Sequence, residues 1–186
     1  MGEDTIRYVL AEKLVDKGRV LDIGCGDGSF AKILKKKGCE VVGCDIDPES
    51  VKKAKTDIEA YTCNLEKDDL PNGEFDYITC IDVIEHVIDP VKLLKKLRGK
   101  SKYIVLTTPN ACWFMDRLKI LGGNVSRHNA YQMGQHLWYW SYSQFKKFLR
   151  ENEFEILDEK TKLVPVMPIF KNWFVYSYAL KLKNSP

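Results

Sequence analysis

Apolar positions along the chain follow two alternating spacings. Short runs that are nearly all apolar, Val20 to Ile23, Glu40 to Asp45, Phe75 to Ile81 and Tyr103 to Thr108, have the pattern of strands buried on both faces. Between them apolar residues recur every three or four positions, as on helices with one buried face, and the chain opens with such a stretch at Ile6, Leu10 and Leu14. Strands alternating with helices predict a parallel sheet covered on both sides.

Local signals sharpen the boundaries. A helix over Ser29 to Lys37 stops at Gly38, a residue suited to a left-handed cap. Asp47-Pro48 and Asp89-Pro90 each pair a capping acid with a proline in the first turn, where its missing N–H costs nothing. The second of these helices closes near Gly99, and a short third strand lies near Ala60 to Cys63. Regularity fades from Pro109 to Trp140, a segment rich in aromatic, basic and glycine residues and read here as a substrate lid. Ser141 to Gln144 is a capping box for a helix bearing Phe145, Phe148 and Leu149. Two late strands, Phe154 to Leu163 and Trp173 to Leu182, are close enough in sequence to pair antiparallel. The expected architecture is α/β, a Rossmann-like doubly wound, seven-stranded mixed sheet in a single domain over residues 1–186.

Composition narrows the function classes. A chain of 186 residues, 45% hydrophobic and 30% charged, suffices for one core. It holds no apolar run of the roughly 18 residues that span a bilayer, and its N-terminus lacks a signal-peptide layout. A cytoplasmic protein with no membrane contact is expected. The net charge of +3 does not argue for nucleic acid, and the lysine runs fall on outer helix faces. Six cysteines stand singly without CxxC spacing and read as reduced, mostly buried thiols.

The most informative run is Val20-Leu21-Asp22-Ile23-Gly24-Cys25-Gly26-Asp27-Gly28-Ser29, a buried strand entering a glycine turn that opens a helix. Ser29 stands where a dinucleotide fingerprint has its third glycine, so the pattern is G-x-G-x-G. With Asp22 ahead of it and Asp45 at the end of the second strand, the run resembles the first motif of class I S-adenosylmethionine (SAM)-dependent methyltransferases. Most of the chain follows the same layout, and Thr108-Pro109-Asn110 with the aromatic run after it is similar to small methyltransferase-like proteins associated with methionine biosynthesis.

The resemblance implies a cofactor site of Asp22, Gly24, Cys25, Gly26, Asp45, Ile46, Asn64, Leu65 and Ile81. In it Asp22 helps hold the methionine moiety and Asp45 accepts from both ribose hydroxyls. Ile46 and Leu65 flank the adenine, and Asn64 stands where the family often carries an acid.

Asp82, Glu85 and His86 have i, i+3, i+4 spacing, which on a helical turn gathers them on one face. The run resembles the D/E-x-x-E-H segment of ubiquinone-type O-methyltransferases and of small-RNA 2′-O-methyltransferases. His136-Leu137-Trp138-Tyr139-Trp140-Ser141 resembles the segment that supplies a second histidine in the RNA group. That resemblance implies Asp82, Glu85, His86 and His136 as ligands of a divalent cation such as Mg²⁺ or Mn²⁺, which would favour O-methylation. The same run occurs in methyltransferases without a metal, where Glu85 and His86 cap and position the next helix. His86, His136 and Asp82 are the catalytic candidates on either reading, and His128 reads as a solvated loop residue.

An acceptor would enter at the lid, among Trp113, Phe114, Tyr131, Trp138, Tyr139, Trp140, Arg117 and Arg127. Trp140 and Phe145 are expected to close onto the core. The leading expectation is methylation of a small-molecule acceptor. Its rivals are a metal-assisted RNA ribose 2′-O-methyltransferase and a SAM-binding partner protein without activity.

Overall fold

Each buried apolar run became a strand and each periodic stretch a helix. The computed structural model describes residues 3–124, 136–163 and 174–184. In chain order its elements are α1 (Glu3–Glu12), β1 (Arg19–Ile23), α2 (Ser29–Lys36), β2 (Glu40–Asp45), α3 (Pro48–Ala54), β3 (Glu59–Thr62), β4 (Phe75–Ile81), α4 (Pro90–Leu97), β5 (Ser101–Thr107), α5 (Phe114–Leu121), α6 (Tyr142–Glu151), β6 (Phe154–Leu163) and β7 (Val175–Asn184).

The seven strands pair in the order β3-β2-β1-β4-β5-β7-β6. The first five run parallel, and β7 enters antiparallel between β5 and β6. Chain direction across the sheet reverses between β1 and β4, where Ile23 lies beside Cys80, and the crevice beyond the carboxyl ends of two such strands is where this architecture binds ligands. One face buries Leu21, Ile78 and Leu106 under α4 and α6. The other buries Val20, Tyr77 and Val105 under α1, α2 and α3.

The capping signals act as read. Gly38 sits at φ 93° just after α2. The Asp47 carboxylate accepts the Glu49 and Ser50 amides at 3.2 and 3.1 Å, and Asp89 accepts Lys92 at 2.9 Å. Ser141 and Gln144 close a reciprocal capping box at the start of α6.

Two expectations change. The lid is not irregular throughout, because α5 forms inside it with Met115, Leu118 and Leu121 exposed and Asp116 buried, the inverse of an ordinary surface helix. The last strand runs from Val175 to Asn184, later than read. Trp173, where it was expected to start, lies outside the described residues, as do Arg127, His128 and Tyr131 of the lid. Among the described residues no helix is long and apolar enough to cross a membrane.

Candidate active site

The glycine bend is built against β2. The amides of Gly24 and Cys25 both donate to the Cys44 carbonyl, at 2.7 and 3.1 Å, and turn the chain over the end of that strand. Gly24 sits at φ 69°, and a Cβ there would lie 2.2 Å from a Val83 methyl, so a side chain is excluded by conformation and by space. Gly26, at φ 53°, is the opposite case, with nothing within 4 Å of where its Cβ would stand. Its amide donates to Asp45 Oδ2 at 2.8 Å, while Asp45 Oδ1 accepts the Asp47 amide at 2.9 Å.

Beneath the bend, Asp22 is buried. The Thr79 hydroxyl donates to its Oδ1 at 2.6 Å, and Oδ2 has no partner. Burial pushes the Asp22 carboxyl up to about 7, against the opposing effect of the Thr79 bond.

A cavity of about 480 Å³ opens at this edge. Six expected cofactor residues, Gly24, Asp45, Ile46, Asn64, Leu65 and Ile81, line it, joined by Cys63, Glu66, Asp82, Val83, His86, Val87 and Ile88. Asp22, Cys25 and Gly26 are not on its wall. The Cys25 side chain is packed in the core beneath α2 and α3, and burial pushes its thiol up to about 12. Asn64 spends its side-chain oxygen locally, accepting the Glu66 amide at 3.0 Å. Glu66 in turn accepts the Ile88 amide at 2.6 Å, stapling two sides of the cavity together.

Beyond β4 the chain makes a turn rather than a helix. Asp82 sits at φ 54°, and the His86 amide donates to the Val83 carbonyl at 2.9 Å. The left-handed residue turns the Asp82 side chain away from the other two. Thr107 Oγ1 donates to Asp82 Oδ1 at 2.7 Å, and Oδ2 pairs with the Arg7 guanidinium of α1.

Glu85, His86 and His136 do come together, each offering a ligand atom, with all of these atoms within 4.8 Å of one another. The two imidazoles meet edge to face, 4.6 Å between centroids. Glu85 is fully buried, and burial, then the Asp82 charge, holds its carboxyl well above the usual range. The Thr108 hydroxyl is near enough to oppose that rise, yet neither carboxylate oxygen makes a hydrogen bond of good geometry.

The far end of the lid is latched over this cluster. Leu137 and Trp138 donate their amides to the Glu85 carbonyl at 2.8 and 3.2 Å, and the Trp138 indole donates to the Val87 carbonyl at 2.9 Å. Trp140 stacks on Trp138 and packs on Phe145 and Phe148, closing onto the core. Asn110 anchors the near end, its amide donating to the Val175 carbonyl at 2.7 Å and its oxygen accepting the Tyr142 amide at 3.2 Å. Arg117 is tied down by a 2.7 Å bond from Nε to the Cys112 carbonyl.

Sequence reasoning missed Arg7 and Glu66. A signal existed for Arg7, which falls three and seven positions before Leu10 and Leu14 and so puts a cation on the apolar face of α1.

Residues 3–159 match the model of a methyltransferase domain. The chain belongs to that family. Its seven-stranded sheet is that of the class I SAM-dependent methyltransferases. Among curated relatives, a ubiquinone biosynthesis O-methyltransferase of Bradyrhizobium diazoefficiens is 29% identical over 170 residues, which covers 86% of this chain and 66% of the relative. One from Aliivibrio fischeri is 35% identical over 100 residues, covering 48% of this chain and 42% of the relative. The matches thus span from about two fifths to just under two thirds of those relatives. Among solved structures, magnesium protoporphyrin IX methyltransferase from Synechocystis with bound S-adenosylhomocysteine superposes with TM-score 0.70 at 20% identity, covering 98% of this chain and 83% of that one. A SAM-dependent methyltransferase from Thermotoga maritima gives 0.71 at 17% identity, covering 98% and 89%. At these identities the likeness is one of fold.

Proposed function

We propose that this methyltransferase domain binds SAM in the cavity beyond β1 and β2 and transfers its methyl group to a hydroxyl of a small-molecule acceptor. The observation that carries the reading is the Asp45–Gly26 contact. A carboxylate at the tip of β2 fixes the glycine bend beside open space, with Ile46, Leu65 and Ile81 offering apolar walls for an adenine ring. Asp45 is assigned to the ribose hydroxyls, and Asn64, its oxygen engaged, would meet the adenine through its amide N–H groups. Asp22, buried with an orphaned oxygen, suits the ammonium of the methionine moiety, and Arg7 suits the carboxylate. Asp45→Ala should weaken SAM binding at least tenfold by calorimetry, and unchanged affinity would sink the assignment.

Bound SAM supplies a methyl on a sulfonium, already an excellent leaving group, so the chain's task is placement. The Trp138–Val87 latch and the Trp138–Trp140 stack wall the acceptor side and exclude water. Where no cation is bound, His136 or His86 takes the proton from the acceptor hydroxyl as its oxygen attacks. The curated relatives' names point to an oxygen acceptor, and we extend that to this chain.

The Glu85, His86 and His136 group fits a divalent cation of the Mn²⁺ or Zn²⁺ type, since mixed nitrogen and oxygen donors converge there and Glu85 has two orphaned buried oxygens. Such a cation would lower the pKa of the acceptor hydroxyl. Asp82, committed to Arg7 and Thr107, stands outside the set, so three protein ligands rather than four are proposed. The three-residue group also favours a second reading, methylation of an RNA 2′-hydroxyl. Cation-dependent labelling of RNA 3′ ends tests it, and SAM binding without turnover on any acceptor would point to an inactive binding partner.

A further inference from the structure

We infer that Tyr178, on β7, is a positioning residue whose hydroxyl donates to the Glu85 carboxylate when that carboxylate holds a cation. The inference rests on the cation site proposed above.

Among the described residues, few buried polar side-chain atoms lack a hydrogen-bond partner, and Glu85 Oε1, Glu85 Oε2 and Tyr178 OH are three of them. Both side chains are fully buried. The Tyr178 ring has little freedom, with Tyr142 edge-on at 5.0 Å and Phe145 at 6.1 Å. Its strand brings it to the site. Ala179 pairs with Thr107, so the next rung sets Tyr178 opposite Thr108, whose hydroxyl lies near the Glu85 carboxylate. After burial itself, the negative charges of Glu85 and then Asp82 are the largest influences opposing ionisation of the phenol, which places its oxygen within their field.

Neither the phenol oxygen nor either carboxylate oxygen makes a hydrogen bond of good geometry, and a cation drawn in by Glu85 would give both groups a role. A carboxylate that gives one oxygen to a cation keeps the other for a hydrogen bond, and ligating carboxylates are regularly oriented by such an outer donor. The Tyr178 hydroxyl has no other hydrogen-bond partner among the described residues.

The two roles a buried tyrosine can have predict opposite results for Tyr178→Phe. If the hydroxyl serves the cation, its removal deletes an unsatisfied polar atom. The cation-free protein should keep or raise its Tm, while affinity for Mn²⁺, titrated by electron paramagnetic resonance, should fall about 10- to 100-fold. If the tyrosine is merely structural, Mn²⁺ affinity stays within twofold of wild type or Tm drops, and either result overturns the inference. Glu85→Gln serves as the reference for lost binding. Wild-type protein that binds Mn²⁺ no better than Glu85→Gln removes the cation site and this inference with it. Wild-type binding matched by Tyr178→Phe removes the inference alone.

Discussion

A carboxyl group with almost no exposed surface and one unpartnered oxygen is costly in a folded chain, and Asp22 is such a group. Its folded pKa, raised to about 7 by burial, lies above its value of 3.8 when solvated. Folding therefore favours the protonated acid. The stabilising contribution is complete below the unfolded value, shrinks as pH rises and is lost above about 7. Asp22→Asn, which keeps an acceptor for Thr79, should match wild type in Tm near pH 4 and exceed it at pH 8. The same substitution should weaken SAM binding at pH 8, and wild-type affinity should fall as pH drops through 7. Thermal melts and calorimetry at the two pH values check both. At this scale Asp22, Gly24 and Asp45 were legible because strand, bend and helix are adjacent in sequence. The inferred relation of Tyr178 to Glu85 was not, since β7 reaches the site only by pairing with β5, and the two residues stand 93 positions apart (178 − 85).

Capping chemistry was the most legible layer among the elements. Asp47, Asp89 and Ser141 each cap the helix that their sequence context announced. Ser141→Ala opens the capping box of α6 and should cost about 1 kcal/mol, a fall in Tm of roughly 2–4 °C for a chain of this size. SAM affinity should not change, because α6 supplies no wall of the cavity. Spacing failed where conformation overrode it. The Asp82-Glu85-His86 interval assumed helical dihedrals, and the left-handed Asp82 broke that assumption and sent its carboxylate to Arg7. Helix α5 was hidden for a related reason, since it faces Asp116 inward and leucines outward.

For the molecule as a whole, topology does most of the work of assembling the site. Placing β1 beside β4 brings the glycine bend, the acid of β2 and the turn after β4 to one edge, which the alternation of strand and helix already implied. Arrival of His136 there depends on the lid crossing back over the turn, and the crossing is held by the Trp138 indole and two backbone amides on the Glu85 and Val87 carbonyls. Trp138→Phe removes the indole bond and keeps most of the ring. It should raise the KM for the acceptor severalfold, about what a net hydrogen bond of 0.5–1.5 kcal/mol gives, with SAM affinity unchanged. Steady-state kinetics with a methylated product assay measures the first quantity and calorimetry the second.

Those latch points are main-chain oxygens, which every amino acid carries. Replacement of strap side chains other than Trp138 leaves its moorings in place, and the residues around Asp45 take no part in them. On the proposed function, a change of acceptor among descendants of this scaffold would be written in the side chains of residues 111–124, with the contacts around Asp45 untouched.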